Sequence, residues 1–492
     1  MTPTARAVPW WRAAAPGLAI GLVIALYRLD RRGLWLDEAY TLGSVHQLDS
    51  AVPRTRWTMS AYYAVLRGWL VVSESVWWMR SLSVLAALGA VAVTVAVARR
   101  LLGSTAAALA GVLMALSPLW LIYAREARSY GVVMLVVAVT WLAVDHGLAD
   151  PDPVRRRRWW LLHTAAALVL PLLHGLTVLQ LLPQVALLAV ARTDRATGLR
   201  LARGVGLALA LTAVLARTAS DEVGEWVDPV GWATIGNVVE RFLSPWPPVC
   251  LALAALVLAG VASSVAAAVR AADPMARVRS LVPVLWGPVP LVLLVLVSLA
   301  RPSLVPRYAV GSVPGLALVL AAAVARTGWP RVAAPAARVV AAGAVAVALV
   351  AGQVDLHASP LDGWTVAARR IAADVRPGDT ILLSREATTR PPFEAAWRAV
   401  DPVAPPVLVP ADRPLGTVLR FEPDETPNGE RWDQARAATG RVWVVGDTAR
   451  LELDRLPSLT VDGVGGRPAT HREVARWHAP ESTIWVVLLT PL

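Results

Sequence analysis

Residues 80–98 read RSLSVLAALGAVAVTVAVA, a run with one charge at its start and otherwise apolar or small residues. A run of about 20 such residues is long enough to cross a bilayer as a helix. The pattern recurs, and predicts spans at 13–29, 80–98, 104–122, 130–147, 159–174, 176–191, 204–218, 248–269, 281–300, 309–325 and 337–354. We therefore predict a polytopic α-helical membrane protein with about eleven transmembrane helices.

The composition of the chain agrees with this class. Apolar residues make up 56% of the 492 residues and charged residues 17%, which is too apolar for a soluble globule. The single cysteine, Cys250, excludes an intramolecular disulfide and a cysteine-based zinc site. The chain has no lysine, which excludes Schiff-base chemistry and a Walker A phosphate loop. A basic face with interleaved aromatic residues is also missing, so we expect no nucleic-acid partner.

The distribution of arginine predicts the orientation in the membrane. With the N-terminus inside, the inner loops contain 18 arginines and five acidic residues, whereas the outer loops before residue 355 contain 13 and 11. Cytoplasmic loops carry the excess of positive charge, so we expect a cytoplasmic N-terminus in the inner or plasma membrane. The same bias predicts contact with anionic lipids of the inner leaflet.

Two segments near the N-terminus need separate assignment. The first span lacks a signal-peptide cleavage site, so we expect it to be retained as a membrane span. Residues 57–78 are predicted to form a juxtamembrane helix.

The C-terminal part of the chain differs in kind. Turn signals such as Pro377-Gly378-Asp379 separate shorter elements, with a helical pattern at 362–375 and strand patterns at 380–383, 442–445 and 484–490. This alternation is typical of a small α/β domain. We therefore predict a transmembrane domain at 1–354, with an outer juxtamembrane loop at 30–79, and a soluble extracytoplasmic α/β domain at 355–492.

Two adjacent carboxylates, Asp37 and Glu38, follow the first predicted span on the outer side, next to Trp35 and Leu36. Apolar burial raises the pKa of a carboxylate and a neighbouring arginine lowers it, so such a group suits a general base. The alternative is that Asp37 caps a juxtamembrane helix, because aspartate is a favoured N-cap residue.

Three further polar groups fall on the same outer face. Arg125 and Arg128 share one face if their segment is helical, where two guanidinium groups could hold a phosphate. Arg307, between two stiffening prolines and the tenth span, would be a fixed cation. For these arginines the alternative is a side chain that extends to the interface. His174 ends the fifth span, and its alternative is an ordinary hydrogen-bonded histidine.

The ordered motifs resemble the GT-C superfamily of glycosyltransferases, and in particular bacterial proteins similar to protein O-mannosyltransferases and lipid A aminoarabinose transferases (glycosyltransferase family 39). Four stretches carry the resemblance: residues 34–40 with Asp37 and Glu38, residues 61–69 with Tyr63, residues 117–130 with Glu126, Arg128 and Tyr130, and residues 306–314 with Arg307 and Tyr308. The resemblance covers about residues 13–330. The chain departs from the family pattern at Arg125, where glutamine is common, and at Gly175, where an aromatic residue often follows the histidine.

The resemblance implies a hexosyl- or pentosyltransferase that takes a sugar from a polyprenyl-phosphate donor on the outer face. It places the catalytic carboxylates at Asp37, as general base, and Glu38. The predicted substrate-binding residues are Tyr63, Arg125, Glu126, Arg128, Tyr130, His174, Arg307 and Tyr308. The acceptor would be a glycan, a glycolipid or a protein. No metal ligands are predicted, and the resemblance leaves the need for a divalent cation open. The alternative function is a flippase for lipid-linked sugars or another transporter, but the spans lack the buried mid-membrane carboxylates typical of ion-coupled transporters.

Overall fold

The computed structural model describes most of the chain as helix, with a small sheet near the C-terminus. It describes residues 9–55, 57–191, 193–217, 227–326, 342–343, 345–347, 350, 363–383, 386–398, 400, 407–409, 428–447, 456–463, 468–479 and 482–492. The predicted span at 337–354 lies mostly outside these residues. The chain divides into two compact units, one with residues 1–27, 52–73 and 78–358 and the other with residues 28–51, 74–77 and 359–492.

Sixteen α-helices precede residue 327 in the described part of the chain. They are α1 Trp10–Leu26, α2 Leu36–His46, α3 Leu48–Arg54, α4 Ser60–Trp69, α5 Val76–Leu102, α6 Ser104–Leu116, α7 Pro118–Ala124, α8 Tyr130–Ala149, α9 Pro153–Leu173, α10 Leu182–Ala191, α11 Arg195–Arg217, α12 Trp232–Phe242, α13 Pro247–Arg270, α14 Pro274–Trp286, α15 Pro288–Ala300 and α16 Val313–Arg326. Two 3₁₀ helices, Gly175–Gln180 and Pro306–Ser312, interrupt the series.

Several of these helices identify a multi-pass membrane protein. Among the described residues, five helical segments are long and apolar enough to cross a membrane, or up to seven if each bent pair forms one span. The sequence predicts eleven spans, and this number is smaller partly because two of the predicted spans are each divided into two helices. The span at 104–122 is α6 and α7, bent by 63° at Pro118, and the span at 281–300 falls in α14 and α15, bent by 45° at Pro288. Proline lacks the amide hydrogen of a continuous helix, so each bend follows from the sequence.

Close approach of helix backbones holds the first unit together. A Cβ atom added at Gly17 of α1 would lie 2.6 Å from the carbonyl carbon of Gly111 in α6, and one added at Gly260 of α13 would lie 2.3 Å from the carbonyl oxygen of Val319 in α16. Small residues at such crossings let membrane helices pack by van der Waals contact. The rings of Trp141 and Trp286 stack inside the bundle with centroids 5.7 Å apart.

Several buried polar groups in the first unit are paired across helices. His163 Nε2 and Gln184 Oε1 are 2.8 Å apart, and Gln184 Nε2 donates to the hydroxyl of Thr140 at 2.8 Å. Asp145, near the end of α8, accepts from Arg100 of α5 and from Arg279 of α14, the latter at 3.0 Å. Interhelical bonds of this kind fix which helices are neighbours, because an unpaired polar group in hydrocarbon is costly.

The sheet of the second unit has five strands in the order β2-β1-β3-β5-β4. The elements are α17 Gly363–Ala372, β1 Thr380–Leu383, α18 Glu386–Trp397, β2 Val407–Val409, α19 Asn428–Arg436, β3 Val442–Asp447, α20 Pro457–Thr460, β4 His471–His478 and β5 Ile484–Pro491. β1 runs parallel to β2 and β3, whereas β5 is antiparallel to β3 and β4. Side chains of α17, α18 and the sheet, including Trp364, Phe393 and Trp443, form its core.

Candidate active site

Four segments of the first unit bring the aromatic residues of the predicted site together. They are α7, the loop 125–129 with the start of α8, the residues after α9, and the second 3₁₀ helix. The rings of Tyr123 and Tyr130 meet edge to face with centroids 4.9 Å apart. The ring of His174 lies 6.4 Å from that of Tyr130 and 4.4 Å from that of Tyr308. A continuous row of four rings therefore joins motifs that are far apart in the sequence.

Two guanidinium groups lie on this row. The Cζ atom of Arg128 is 5.9 Å from the ring centroid of Tyr130, and that of Arg307 is 5.6 Å from the ring centroid of Tyr308. Both charges act on the imidazole of His174. Each distance suits a cation–π contact, which holds a guanidinium in place without neutralising it. Two fixed cations in one partly buried region can bind a phosphate group.

The imidazole of His174 has a defined orientation. Its Nδ1 accepts a hydrogen bond from the backbone N–H of Leu176 at 3.4 Å. A neutral ring therefore carries its proton on Nε2, because one ring nitrogen donates and the other accepts. The backbone carbonyl of the same residue accepts from the hydroxyl of Thr177 at 2.6 Å, which anchors the start of the first 3₁₀ helix.

Hydroxyl groups that the motifs did not single out anchor the loop 125–129. The hydroxyls of Tyr62 and Ser83 are 3.2 Å apart, and Ser83 Oγ donates to the carbonyl of Arg128 at 3.2 Å. Ser129 Oγ donates to the carbonyl of Leu173 at 3.0 Å, one residue before His174. These bonds hold the backbone at Arg128 and Ser129. Of the two serines, Ser83 lies inside a predicted span and Ser129 directly precedes one.

The second 3₁₀ helix, which carries Arg307, is anchored at its other end. Gln180 Nε2 donates to Ser312 Oγ at 3.2 Å, and Trp286 Nε1 donates to the carbonyl of Gly311 at 2.9 Å. A Cβ atom at Gly311 would lie 2.9 Å from the amide carbon of Gln180, so glycine is required for this approach. The two 3₁₀ helices therefore contact each other through Gln180, Gly311 and Ser312.

Arg125, Glu126 and Tyr63 were also predicted as site residues, and each makes a different kind of contact. Residues 125–128 form bends instead of a helix, so Arg125 and Arg128 do not share a helical face. Arg125 Nη2 donates to the carbonyl of Tyr27 at 3.0 Å. The carbonyl of Glu126 accepts from the N–H of Arg128 at 2.8 Å. The hydroxyl of Tyr63 is 3.7 Å from the sulfur of Met59, and its neighbour Tyr62 is the tyrosine that reaches the loop through Ser83.

Asp37 and Glu38 belong to the second unit, in the first turn of α2. Trp35 is the N-cap residue, so Asp37 lies inside the helix and does not cap it. The carboxylate of Glu38 is buried and accepts from the backbone N–H of Trp35 at 3.4 Å. Asp37 is half-buried, and its carbonyl accepts from the hydroxyl of Thr41 at 2.8 Å. The positive end of the helix dipole favours a negative charge at both positions.

A metal site is not formed by the described residues. Among them, no group of three or more histidine, cysteine, aspartate or glutamate side chains lies close enough to hold a metal ion.

Comparison with known proteins identifies the fold. No protein-family model matches the sequence, and no curated protein matches it. The chain is similar to the crystal structure of ArnT from Cupriavidus metallidurans bound to undecaprenyl phosphate, with 16% identity, a TM-score of 0.56 and coverage of 96% of this chain and 97% of that one. The apo form of the same protein has a TM-score of 0.57 at 17% identity over the same shares of both chains.

An archaeal protein shares the fold as well. AglB, an oligosaccharyltransferase from Archaeoglobus fulgidus in complex with an inhibitory peptide and a dolichol-phosphate, matches with 11% identity and a TM-score of 0.52, covering 96% of this chain and 74% of that one. ArnT and AglB both belong to the GT-C superfamily. The GT-C-like fold predicted from the ordered motifs is therefore confirmed.

Proposed function

We propose that the protein is a membrane glycosyltransferase that moves a sugar from a polyprenyl-phosphate donor to an acceptor hydroxyl. The observation that carries the proposal is the convergence of Arg128 and Arg307 on the ring row around His174. A lipid-linked phosphate becomes more negative as its bond to the sugar breaks. Fixed cations in a region of low dielectric stabilise that charge in the transition state.

The similarity to ArnT and AglB supports this choice of donor. The ArnT structure contains undecaprenyl phosphate, and the AglB structure contains a dolichol-phosphate and a peptide. We propose the same chemical class for this chain, a sugar on a polyprenyl phosphate, with a glycan, glycolipid or protein as acceptor. Tyr308, which is partly exposed, supplies a flat aromatic surface of the kind against which a sugar ring packs, whereas Tyr123 and Tyr130 are buried behind it in the row of rings.

Asp37 is the proposed general base. It takes the proton of the acceptor hydroxyl while the oxygen forms a bond to the anomeric carbon of the donor sugar. The bond between that carbon and the phosphate oxygen breaks on the opposite side, and the lipid phosphate leaves with the electron pair. In-line displacement inverts the configuration at the anomeric carbon. Asp37 afterwards releases the proton to water, and Glu38 holds the first turn of α2 through Trp35.

The proposed reaction takes place on the outer face of the membrane, with the N-terminus in the cytoplasm. The distribution of arginine supports this orientation, because the loops on the proposed inner side carry the excess of positive charge. With eleven spans and a cytoplasmic N-terminus, the α/β domain proposed at residues 355–492 lies on the outer side as well.

The experiment that tests the proposal supplies membranes containing the protein with a panel of radiolabelled undecaprenyl-phosphate sugars. Transfer of label from one of them into a non-lipid or glycolipid product supports the transferase. Movement of labelled donor across liposomes by the purified protein, without product, would instead identify a flippase. Absence of both transfer and transport for every sugar in the panel would contradict the proposal.

A further inference from the structure

A carboxylate of the second unit lies between an imidazole and a guanidinium from different segments. Glu74 Oε1 is 3.1 Å from Nε2 of His46, and Glu74 Oε2 is 3.3 Å from Nη1 of Arg398. His46 is the last residue of α2, Glu74 lies between α4 and α5, and Arg398 directly follows α18. One carboxylate thus joins the end of α2, the segment between α4 and α5, and the C-terminal domain.

The same helix of the C-terminal domain also packs directly on α2. Within the second unit, α18 contacts α17, β1 and β3 of the domain and α2 of the first loop. Its Phe393 and Trp397 enter the core of the domain. Its Arg390 and Glu394 form an ion pair of 2.7 Å in which both side chains are almost fully buried. Packing and the Glu74 contacts therefore hold α2 against the domain.

We propose that Glu74 and Arg398 are positioning residues that orient Asp37 through α2, which makes the C-terminal domain part of the catalytic apparatus. The inference rests on the proposed role of Asp37. α2 has Asp37 in its first turn and His46 at its last position. A helix of this length is rigid, so an orientation set at His46 is transmitted to Asp37. A general base must lie within hydrogen-bonding distance of its proton, so a small rotation of α2 lowers the rate.

The test measures kcat and KM of the purified full-length protein with the undecaprenyl-phosphate sugar that the panel selects. Glu74→Gln and Arg398→Met are each expected to lower kcat, because each removes a contact that orients α2. The loss is expected to be only about fivefold, since a single exposed ion pair contributes little. The KM for the donor is expected to stay unchanged in both variants. Arg398→Lys, which keeps the positive charge, is expected to have most of the wild-type kcat. The matched control is Glu473→Gln, which removes another exposed ion pair of the same domain, at 2.8 Å to Arg476, and leaves kcat unchanged.

A double variant separates positioning from general stability. If Glu74 acts through Asp37, adding Glu74→Gln to Asp37→Asn lowers the residual kcat no further. An equal, additive loss in that background overturns the inference, as does an unchanged kcat in both Glu74→Gln and Arg398→Met. Normal turnover by Asp37→Asn alone overturns the proposed function instead, so the two failures are distinguishable.

Discussion

The imidazole of His174 and the phenol ring of Tyr308 lie 4.4 Å apart between centroids, inclined by 37°. His174 follows α9, whereas Tyr308 belongs to the second 3₁₀ helix, so this contact joins two distant parts of the chain. Arg307 precedes Tyr308 and lies over its ring. The contact therefore helps to hold one of the two cations on which the proposed reaction depends.

Loss of either converging cation is expected to slow the reaction. Arg307→Gln and Arg128→Gln each remove a guanidinium that would stabilise the departing phosphate, and we expect turnover to fall by about 10²–10³-fold. The lysine variants recover only part of it, since an ammonium lacks the planar fork of arginine. Arg67→Gln on the exposed face of α4 is the control, with unchanged turnover. Equal effects in all three glutamine variants would contradict a specific phosphate site.

Removal of the proposed base is expected to affect the chemical step alone. Asp37→Asn keeps the size of the side chain but cannot accept the proton, so turnover should fall by at least about 10²–10⁴-fold. The melting temperature and the KM for the donor should stay near those of the wild type, because the N-cap of α2 is Trp35. Label transfer at saturating donor is the measurement. Near-normal turnover would remove Asp37 from the mechanism.

The hydroxyl network beside Arg128 is expected to matter for both stability and donor binding. Ser83→Ala removes the bond to the carbonyl of Arg128 and the contact with the hydroxyl of Tyr62. We expect the free energy of unfolding to fall by about 1–3 kcal/mol and the KM for the donor to rise. Thr94→Ala in the same helix is the control, because that hydroxyl bonds only within α5, to Ala90. A Ser83 variant no worse than the control would refute the network's role.

The C-terminal domain is expected to lose stability in acid through Asp379. Burial disfavours its charge, but hydrogen bonds from Arg441 and Trp443 outweigh burial and lower the pKa of this carboxyl. The bonds measure 2.7 Å and 2.9 Å. In an unfolded chain the pKa of an aspartate carboxyl is about 3.9, so this stabilisation is complete above that pH. It is lost as the pH falls through the lower folded-state pKa.

Hydrogen exchange in β3 of the full-length protein measures this effect. Protection of residues 442–447 should fall below about pH 4 in the wild type. In Asp379→Asn, protection should be lower at neutral pH and nearly independent of pH in this range. A wild-type and a variant protein with parallel pH profiles would show that another group controls the acid response.

In the C-terminal domain, the sequence predicted the helix and the strands that have a clear local pattern of apolar residues. It missed β2 and β4, which have no such pattern. The helix at 363–372 and the strands at 380–383, 442–447 and 484–491 appear close to where the pattern placed them. The three-residue strand β2 is too short for periodicity to reveal. Strand β4, with the sequence HREVARWH, lies at the edge of the sheet. Edge strands carry exposed charges that discourage pairing with other chains, so this sequence lacks the apolar run of a buried strand.

Local apolar length was enough to predict a multi-pass helical protein, and the ordered motifs were enough to predict a GT-C-like fold. Apolar length depends on residues that are near in the chain, and each motif is short enough to be recognised on its own. The row of rings from Tyr123 to Tyr308, the separation of Arg125 from Arg128 and the contacts of Glu74 with His46 and Arg398 were decided only by tertiary structure. Contacts between distant residues depend on how bent helices and 3₁₀ turns pack, and no local pattern encodes that packing.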